Sequence, residues 1–337
     1  MKALSILAPG EVALVDVAVP VPGPNEVAID LAYVGYCGSD LTTYRGHNPL
    51  VSYPRVPGHE IAGTIAAVGA DVTDLAPGQM ATVLPYFNCG QCRACRSGRP
   101  NACVNNQTMG VQREGAMTAR VVVPRAKVIP VSGLALRDLA LIEPCAVGFH
   151  AVERAGLQAG ETVLVLGCGM IGLGAILGAV RRGARVIAVD LSDAKLDIAR
   201  AVGAHAVVNA GKDLKEAVAA LAGEGPDVVI EAVGSETTFL QAVDLVGSCG
   251  RVVYIGYAKA PIAYDTKQFI TKELDIRGSR NALPEDFAQV IEHLRTHPHL
   301  GELIVSRIVE LDAAPAALAD WHAAPGAFTK ILVRMAP

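Results

Sequence analysis

The chain has 337 residues, and a composition that is 51% hydrophobic and 18% charged excludes a disordered or solvating protein. That length suits two domains of the usual ~100 to 200 residues each. The 29 Lys and Arg against 33 Asp and Glu leave a net charge of −4 with no basic concentration, which argues against a nucleic-acid partner. Met1 to Pro9 lacks the length and cleavage site of a secretory signal, so a cytoplasmic location is expected.

From Met1 to about Pro130 short alternating runs, such as Glu26 to Ala32 and Ala119 to Val123, are punctuated by Pro and Gly and predict a β-rich region. Two sets of metal-ligand types lie in or beside it. Cys89-x2-Cys92-x2-Cys95-x7-Cys103 places four of the eight cysteines within fifteen residues. Four thiolates and no open position describe a structural zinc. A disulfide pattern would need an oxidising compartment that nothing else supports, and an iron–sulfur cluster is the other alternative. The second set is dispersed: Cys37 in Gly35-Tyr-Cys-Gly-Ser-Asp40, His59-Glu60 after Pro57-Gly, and Glu143 in Ile142-Glu-Pro-Cys145. Taken singly, these fit a small core thiol, a turn imidazole and a loop charge, and spacing alone does not join them.

At Glu161 the texture changes to apolar strands, Thr162 to Leu166, Arg185 to Val189, Asp227 to Ile230 and Arg251 to Ile255, separated by Ala-rich stretches of helix length. This βαβ rhythm predicts an α/β, doubly wound parallel sheet. Val163 to Val180 carries no charge and superficially suits a membrane span, but its glycines divide it into a strand and a helix, so no membrane association is expected. Gly167-Cys-Gly-Met-Ile-Gly172 follows the first strand and opens the helix, the context a dinucleotide fingerprint requires. Gly167 allows the tight turn, Gly169 the approach of the pyrophosphate, and Gly172 close helix–strand packing. Asp190, eighteen residues after Gly172, is placed to accept both ribose hydroxyls and to repel a 2′-phosphate, which favours NAD over NADP. Lys195 fits either a ribose contact or a solvated helix charge.

After Gly278 the rhythm stops. A helix near Pro284 to Leu294 and strand-like pieces at Leu303 to Val309 and Lys330 to Val333 are expected to return to the first domain. The predicted domains are therefore 1–148 with 283–337, and 149–282.

Gly58-His-Glu-x-x-Gly63-x5-Gly69-x2-Val72 resembles the zinc signature of the medium-chain, zinc-dependent alcohol and polyol dehydrogenases. The four cysteines and the Gly167 fingerprint follow in that family's order, so the resemblance spans essentially the whole chain. It implies a GroES-like catalytic domain with a Rossmann cofactor domain, one catalytic and one structural zinc, NAD, and a homo-oligomer, dimer or tetramer. It also implies that Cys37 and His59 bind the catalytic metal, that Asp40 orients His59, and that Ser39 takes the alcohol proton. Glu143 falls where alcohol dehydrogenases carry a second Cys ligand and polyol and threonine dehydrogenases carry Glu. Whether Glu60 or Glu143 binds directly stays open, with Cys145 a nearby substitute. Relatives place a His relay at the position of Thr42, so the proton's exit route is also open.

Tyr44 to Pro49, Tyr53 to His59 and Gly278-Ser-Arg-Asn-Ala-Leu-Pro-Glu-Asp-Phe287 resemble the bacterial L-galactonate and L-gulonate 5-dehydrogenase group of that family. The implied small-molecule substrate is a hexonate, oxidised at C5. Ser279, Arg280 and Asn281 then follow the last strand where the substrate cleft lies. Arg280 can grip a carboxylate and Asn281 can read hydroxyls, or Arg280 can be salt-bridged at a hinge. A neutral polyol or L-threonine is the rival substrate, and a catalytically silent zinc-binding homologue the rival class.

Overall fold

In the computed structural model, which describes residues 1–211 and 213–335, the chain forms two compact units. One comprises Met1–Glu143 and the C-terminal stretch from Leu294, and the other Pro144–His293. These crossings fall inside the helices Ile142–Ala155 and Pro284–Thr296, whose periodicity runs on without a break. Changes in sequence texture put them instead at 148/149 and 282/283.

Among the described residues, the main sheet of the first unit has seven strands. In spatial order they are Arg307–Glu310, Ile331–Arg334, Glu26–Gly35, Glu60–Val68, Met80–Val83 and Val128–Pro130, with Arg120–Pro124 also pairing with Glu26–Gly35. Leu332 pairs antiparallel with Gly35 and Val333 with Val34, so the last strand extends a sheet begun near the N-terminus. Leu4, Ile29, Val34, Ile61, Met117 and Val333 share the core of this unit. The expected strand at Leu303 to Val309 is shorter than its apolar pattern suggests. Leu300–Ile304 is a helix that buries Leu300, Gly301 and Ile304 on one face, and only Arg307–Glu310 is extended.

The second unit holds six parallel strands in the order Ala206–Asn209, Arg185–Asp190, Thr162–Leu166, Val228–Glu231, Arg251–Tyr254, Asp275–Gly278. The inner strands are covered on both faces, which explains runs such as Thr162-Val-Leu-Val-Leu166. Ala206–Asn209 and Asp275–Gly278 were not anticipated: they are edge strands, four residues long and partly exposed, without a continuous apolar run. The chain order reverses at Thr162–Leu166, and the carboxyl ends of the strands there are where open α/β sheets bind ligands. Among the described residues no helix is long and apolar enough to cross a membrane.

Candidate active site and metal sites

The four-cysteine lobe is built from short pieces that each deliver one thiol. Cys92 caps the helix Arg93–Arg96 that carries Cys95, and Cys103 ends the 3-10 turn Pro100–Ala102. The hairpin of Tyr86–Phe87 with Gln107–Thr108 closes the lobe just outside Cys89 and Cys103. All four sulfurs lie within 4.8 Å of one another, and Cys92–Cys95 and Cys89–Cys103 are each separated by 3.5 Å. A tetrahedron with zinc–sulfur bonds of ~2.3 Å has edges of ~3.8 Å, whereas a disulfide needs ~2.05 Å. The lobe therefore fits one tetrahedral ion. The backbone N–H groups of Cys95 and Val104 pull the Cys92 thiol down to about 6. Burial pushes Cys103 up to about 11.

The dispersed set converges. Cys37 stands at the N-cap of the helix Gly38–Tyr44, and Glu60 opens a strand whose first residue pairs with Gly35. A Cβ on Gly35 would come within 1.9 Å of Glu60 Oε2, so only glycine there admits the carboxylate. Ligand atoms of Cys37, His59 and Glu60 lie within 4.8 Å of one another. Glu143 is not among them, but its charge acts on His59 and on Glu60. It sits in the first turn of Ile142–Ala155, not in a solvated loop, and is 4% exposed. Its Oε1 accepts a hydrogen bond from the Tyr86 hydroxyl. Cys145, farther along that helix, belongs with Gly174 to the second unit, packs its backbone against that glycine and is not in the cluster.

Asp40 corrects one expectation. Its carboxylate accepts the backbone N–H of Cys37 at 2.9 Å and of Gly58 at 3.3 Å. It thus fixes the backbone carrying Cys37 and His59 and does not hydrogen-bond the imidazole, whose Nδ1 is buried without a partner. Ser39 Oγ is likewise buried and unpartnered. The Thr42 hydroxyl is turned back onto Gly38 O at 2.8 Å.

Sequence reading missed Lys330, which is 2% exposed. Its ammonium donates to both oxygens of Glu60, at 2.6 and 2.5 Å, and to Tyr36 O at 3.0 Å. Burial pushes the Glu60 carboxyl up to about 7 against the opposing pull of Lys330. Asp40, Glu60 and Glu143 are all at most 4% exposed, and with the Cys37 thiol they bring four acidic groups together with one ammonium and one imidazole. Buried charges need partners, so this donor set fits a cation.

In the second unit Gly167 adopts φ +95°, and a Cβ on Gly172 would meet Gly167 O at 1.8 Å, so both positions require glycine. A Cβ on Gly169 would meet nothing within 4 Å. Gly169 is the N-cap of Met170–Arg181 and supplies no side chain to its first amides. Open space before unfilled helix N–H groups suits a pyrophosphate. Each Asp190 oxygen already accepts a backbone N–H, from Cys168 at 2.8 Å and from Ser192 at 2.9 Å. The carboxylate is thereby fixed, and each oxygen keeps a lone pair for a ribose hydroxyl. Lys195 is half-buried on the helix Asp193–Ala201. After the last strand Ser279 is buried, while Arg280 and Asn281 are half-buried, Asn281 with φ +52°.

Residues 23–133 match the alcohol dehydrogenase GroES-like domain and residues 171–296 the zinc-binding dehydrogenase domain. The chain is 39% identical over 292 residues to L-galactonate-5-dehydrogenase of Escherichia coli (strain K12), covering 86% of each. It is 34% identical to a sorbitol dehydrogenase of Halalkalibacterium halodurans, covering 85% of each. A crystal structure of a zinc-binding dehydrogenase from Sinorhizobium meliloti 1021 bound to NADP superposes with a TM-score of 0.91 at 31% identity, over 99% of this chain and 98% of that one.

Proposed function

The chain belongs to the zinc-dependent medium-chain alcohol and polyol dehydrogenases, and from that premise we propose that it oxidises a secondary hydroxyl of a sugar acid, at C5 of a hexonate such as L-galactonate or L-gulonate, with NAD as acceptor. The observation that carries the chemistry is the convergence of Cys37, His59 and Glu60, buried beside Glu143. When bound, zinc lowers the pKa of a ligated hydroxyl from ~16 toward ~7, and NAD takes the hydride.

The residues then divide the work. Cys37 and His59 hold the metal, with Asp40 fixing their backbone from behind. Of the two glutamates, Glu60 is tied by both oxygens to Lys330, whereas Glu143 keeps Oε2 for the metal or a substrate hydroxyl. Ser39 Oγ, buried and without a partner, receives the alcohol proton. Thr42 is engaged by Gly38 O, so the proton leaves from Ser39 by another route. Cys89, Cys92, Cys95 and Cys103 hold a second, closed zinc with no position for substrate.

In the cofactor unit Gly167, Gly169 and Gly172 shape the pyrophosphate turn, Asp190 accepts the ribose hydroxyls and Lys195 supports them. Like charges set side by side cost several kcal/mol, so NAD is expected to exceed NADP by at least ~100-fold in kcat/KM. Steady-state kinetics with both cofactors checks this, and equal use of NADP would mean that Asp190 does not face the 2′ position.

The sugar-acid reading draws on the likeness to L-galactonate-5-dehydrogenase and on Arg280-Asn281 after the last strand. An arginine pairs with a carboxylate through two parallel hydrogen bonds, and Asn281 reads hydroxyls. NAD reduction measured over hexonates, neutral hexitols and L-threonine tests it. Arg280→Ala is expected to raise KM for the acid by ~10- to 150-fold, from charge-assisted bonds worth ~1.5 to 3 kcal/mol, and to change hexitol oxidation far less. A wild-type preference for a hexitol over every hexonate would reject the sugar acid in favour of a neutral polyol.

A further inference from the structure

The four-cysteine lobe and the Cys37–His59 site lie in one unit and share a strand. Tyr86–Phe87 leads straight into Cys89, and its antiparallel partner Gln107–Thr108 follows closely after Cys103, so the hairpin gathers both ends of the lobe. Met109 N donates to Pro85 O at 3.1 Å and holds the entry to the hairpin. The Tyr86 ring turns the other way, is 5% exposed, and donates its hydroxyl to Glu143 Oε1.

A second set of contacts fixes the backbone of the same residue. Lys127 Nζ donates to Tyr86 O at 2.5 Å and to Asn88 Oδ1 at 3.3 Å. Asn88 Nδ2 in turn donates to Cys95 Sγ at 3.8 Å. The Phe87 ring centre lies 5.4 Å from the same ammonium and 4.0 Å from the Arg113 guanidinium. A continuous path thus runs from a lobe sulfur through Asn88, Lys127 and Tyr86 to the Glu143 carboxylate. Four thiolates would close around an ion without Lys127 or Tyr86, so closure of the lobe does not account for the path.

We propose that Tyr86 is a positioning residue that ties the four-cysteine lobe to Glu143, so that the lobe's fold sets the orientation of a carboxylate in the catalytic metal site. This rests on the reading of Glu143 as part of that site. Taking up Oε1 fixes the rotation of the carboxylate and leaves Oε2 as the oxygen for the metal or substrate. Partners of this kind change metal affinity by ~10- to 100-fold when removed.

The test uses the full chain with zinc in the lobe and Co2+ in the catalytic site, read by the cobalt d–d absorption, by cobalt affinity and by zinc per chain. Tyr86→Phe keeps the ring and deletes the hydroxyl. The expected result is a shifted absorption and a ~10- to 100-fold weaker cobalt affinity, with the lobe zinc retained. Asn88→Ala, at an exposed position, loosens the lobe's end of the path. It is expected to shift the absorption in the wild-type background and to add nothing in Tyr86→Phe, the non-additivity of a shared path. An Asn88→Ala shift of equal size in both backgrounds, or none in the wild type, overturns the coupling. Glu143→Gln runs in parallel. If it shifts the absorption while Tyr86→Phe does not, the role of Tyr86 falls and that of Glu143 stands; if neither does, Glu143 lies outside the site and both readings fall.

Discussion

His59→Ala is expected to lower kcat/KM by at least ~10^3-fold, about 4 kcal/mol of transition-state stabilisation, while the protein stays folded with one zinc per chain in place of two. His59 is 5% exposed, and its Nδ1 has no partner in the surrounding structure. The side-chain hydrogen bond of this imidazole is to Cys37, a fellow donor of the same site, so alanine breaks no contact with the surrounding scaffold. Its removal takes a nitrogen ligand from a site whose other donors are Cys37 and carboxylates, and a deprotonated hydroxyl group then lacks the Lewis acid that makes it accessible at neutral pH. Metal content by mass spectrometry and initial rates on one preparation decide the matter. Two zincs per chain with activity within tenfold of the wild type would remove His59 from the catalytic site, whereas loss of the lobe zinc as well would point to global damage.

What the sequence makes legible and what it hides follow from the range of the interactions. The lobe and the dinucleotide turn are local: four thiols within fifteen residues, and three glycines between one strand and one helix. Their chemistry is written at close spacing, and each supplies its own geometry. Cys37, His59 and Glu143 come from three separated segments, and only a family signature joins them before the sheet registers do. Lys330 shows no signal at all, because a lone lysine ahead of Ile331-Leu-Val reads as the polar edge of a strand. It becomes a partner of Glu60 only when the last strand pairs with Glu26–Gly35 and carries it across 270 residues. Tyr86 is hidden for the same reason, and Asp40 misled because its two acceptor oxygens serve backbone amides, which have no sequence identity. The short edge strands Ala206–Asn209 and Asp275–Gly278 escape because the run of apolar residues that marks a buried parallel strand needs cover on both faces.

The largest effect on stability is expected at Lys330. All three of its N–H bonds are used, two on Glu60 and one on Tyr36 O, and both partners of the ion pair are at most 2% exposed. Lys330→Met keeps the length of the side chain and removes the charge. Glu60 is then left buried beside the Glu143 carboxylate, and breaking a buried pair in this way costs about 3 to 5 kcal/mol. Lys330→Arg retains the charge, but a guanidinium is larger and planar where the ammonium makes three converging bonds, so a smaller loss is expected. The double variant Lys330→Met with Glu60→Gln is expected to recover part of the stability lost by Lys330→Met alone, because the uncompensated charge is gone and only an amide remains to be hydrogen-bonded. Denaturant unfolding of the wild type and these three variants, with Glu60→Gln alone to complete the cycle, at equal zinc loading measures the differences. A loss below ~1 kcal/mol for Lys330→Met would mean that Glu60 holds its charge without the ammonium. A double variant no more stable than the single one would assign the loss to the packing of the lysine stem and its bond to Tyr36 O, and the pairing with Glu60 would then carry none of it.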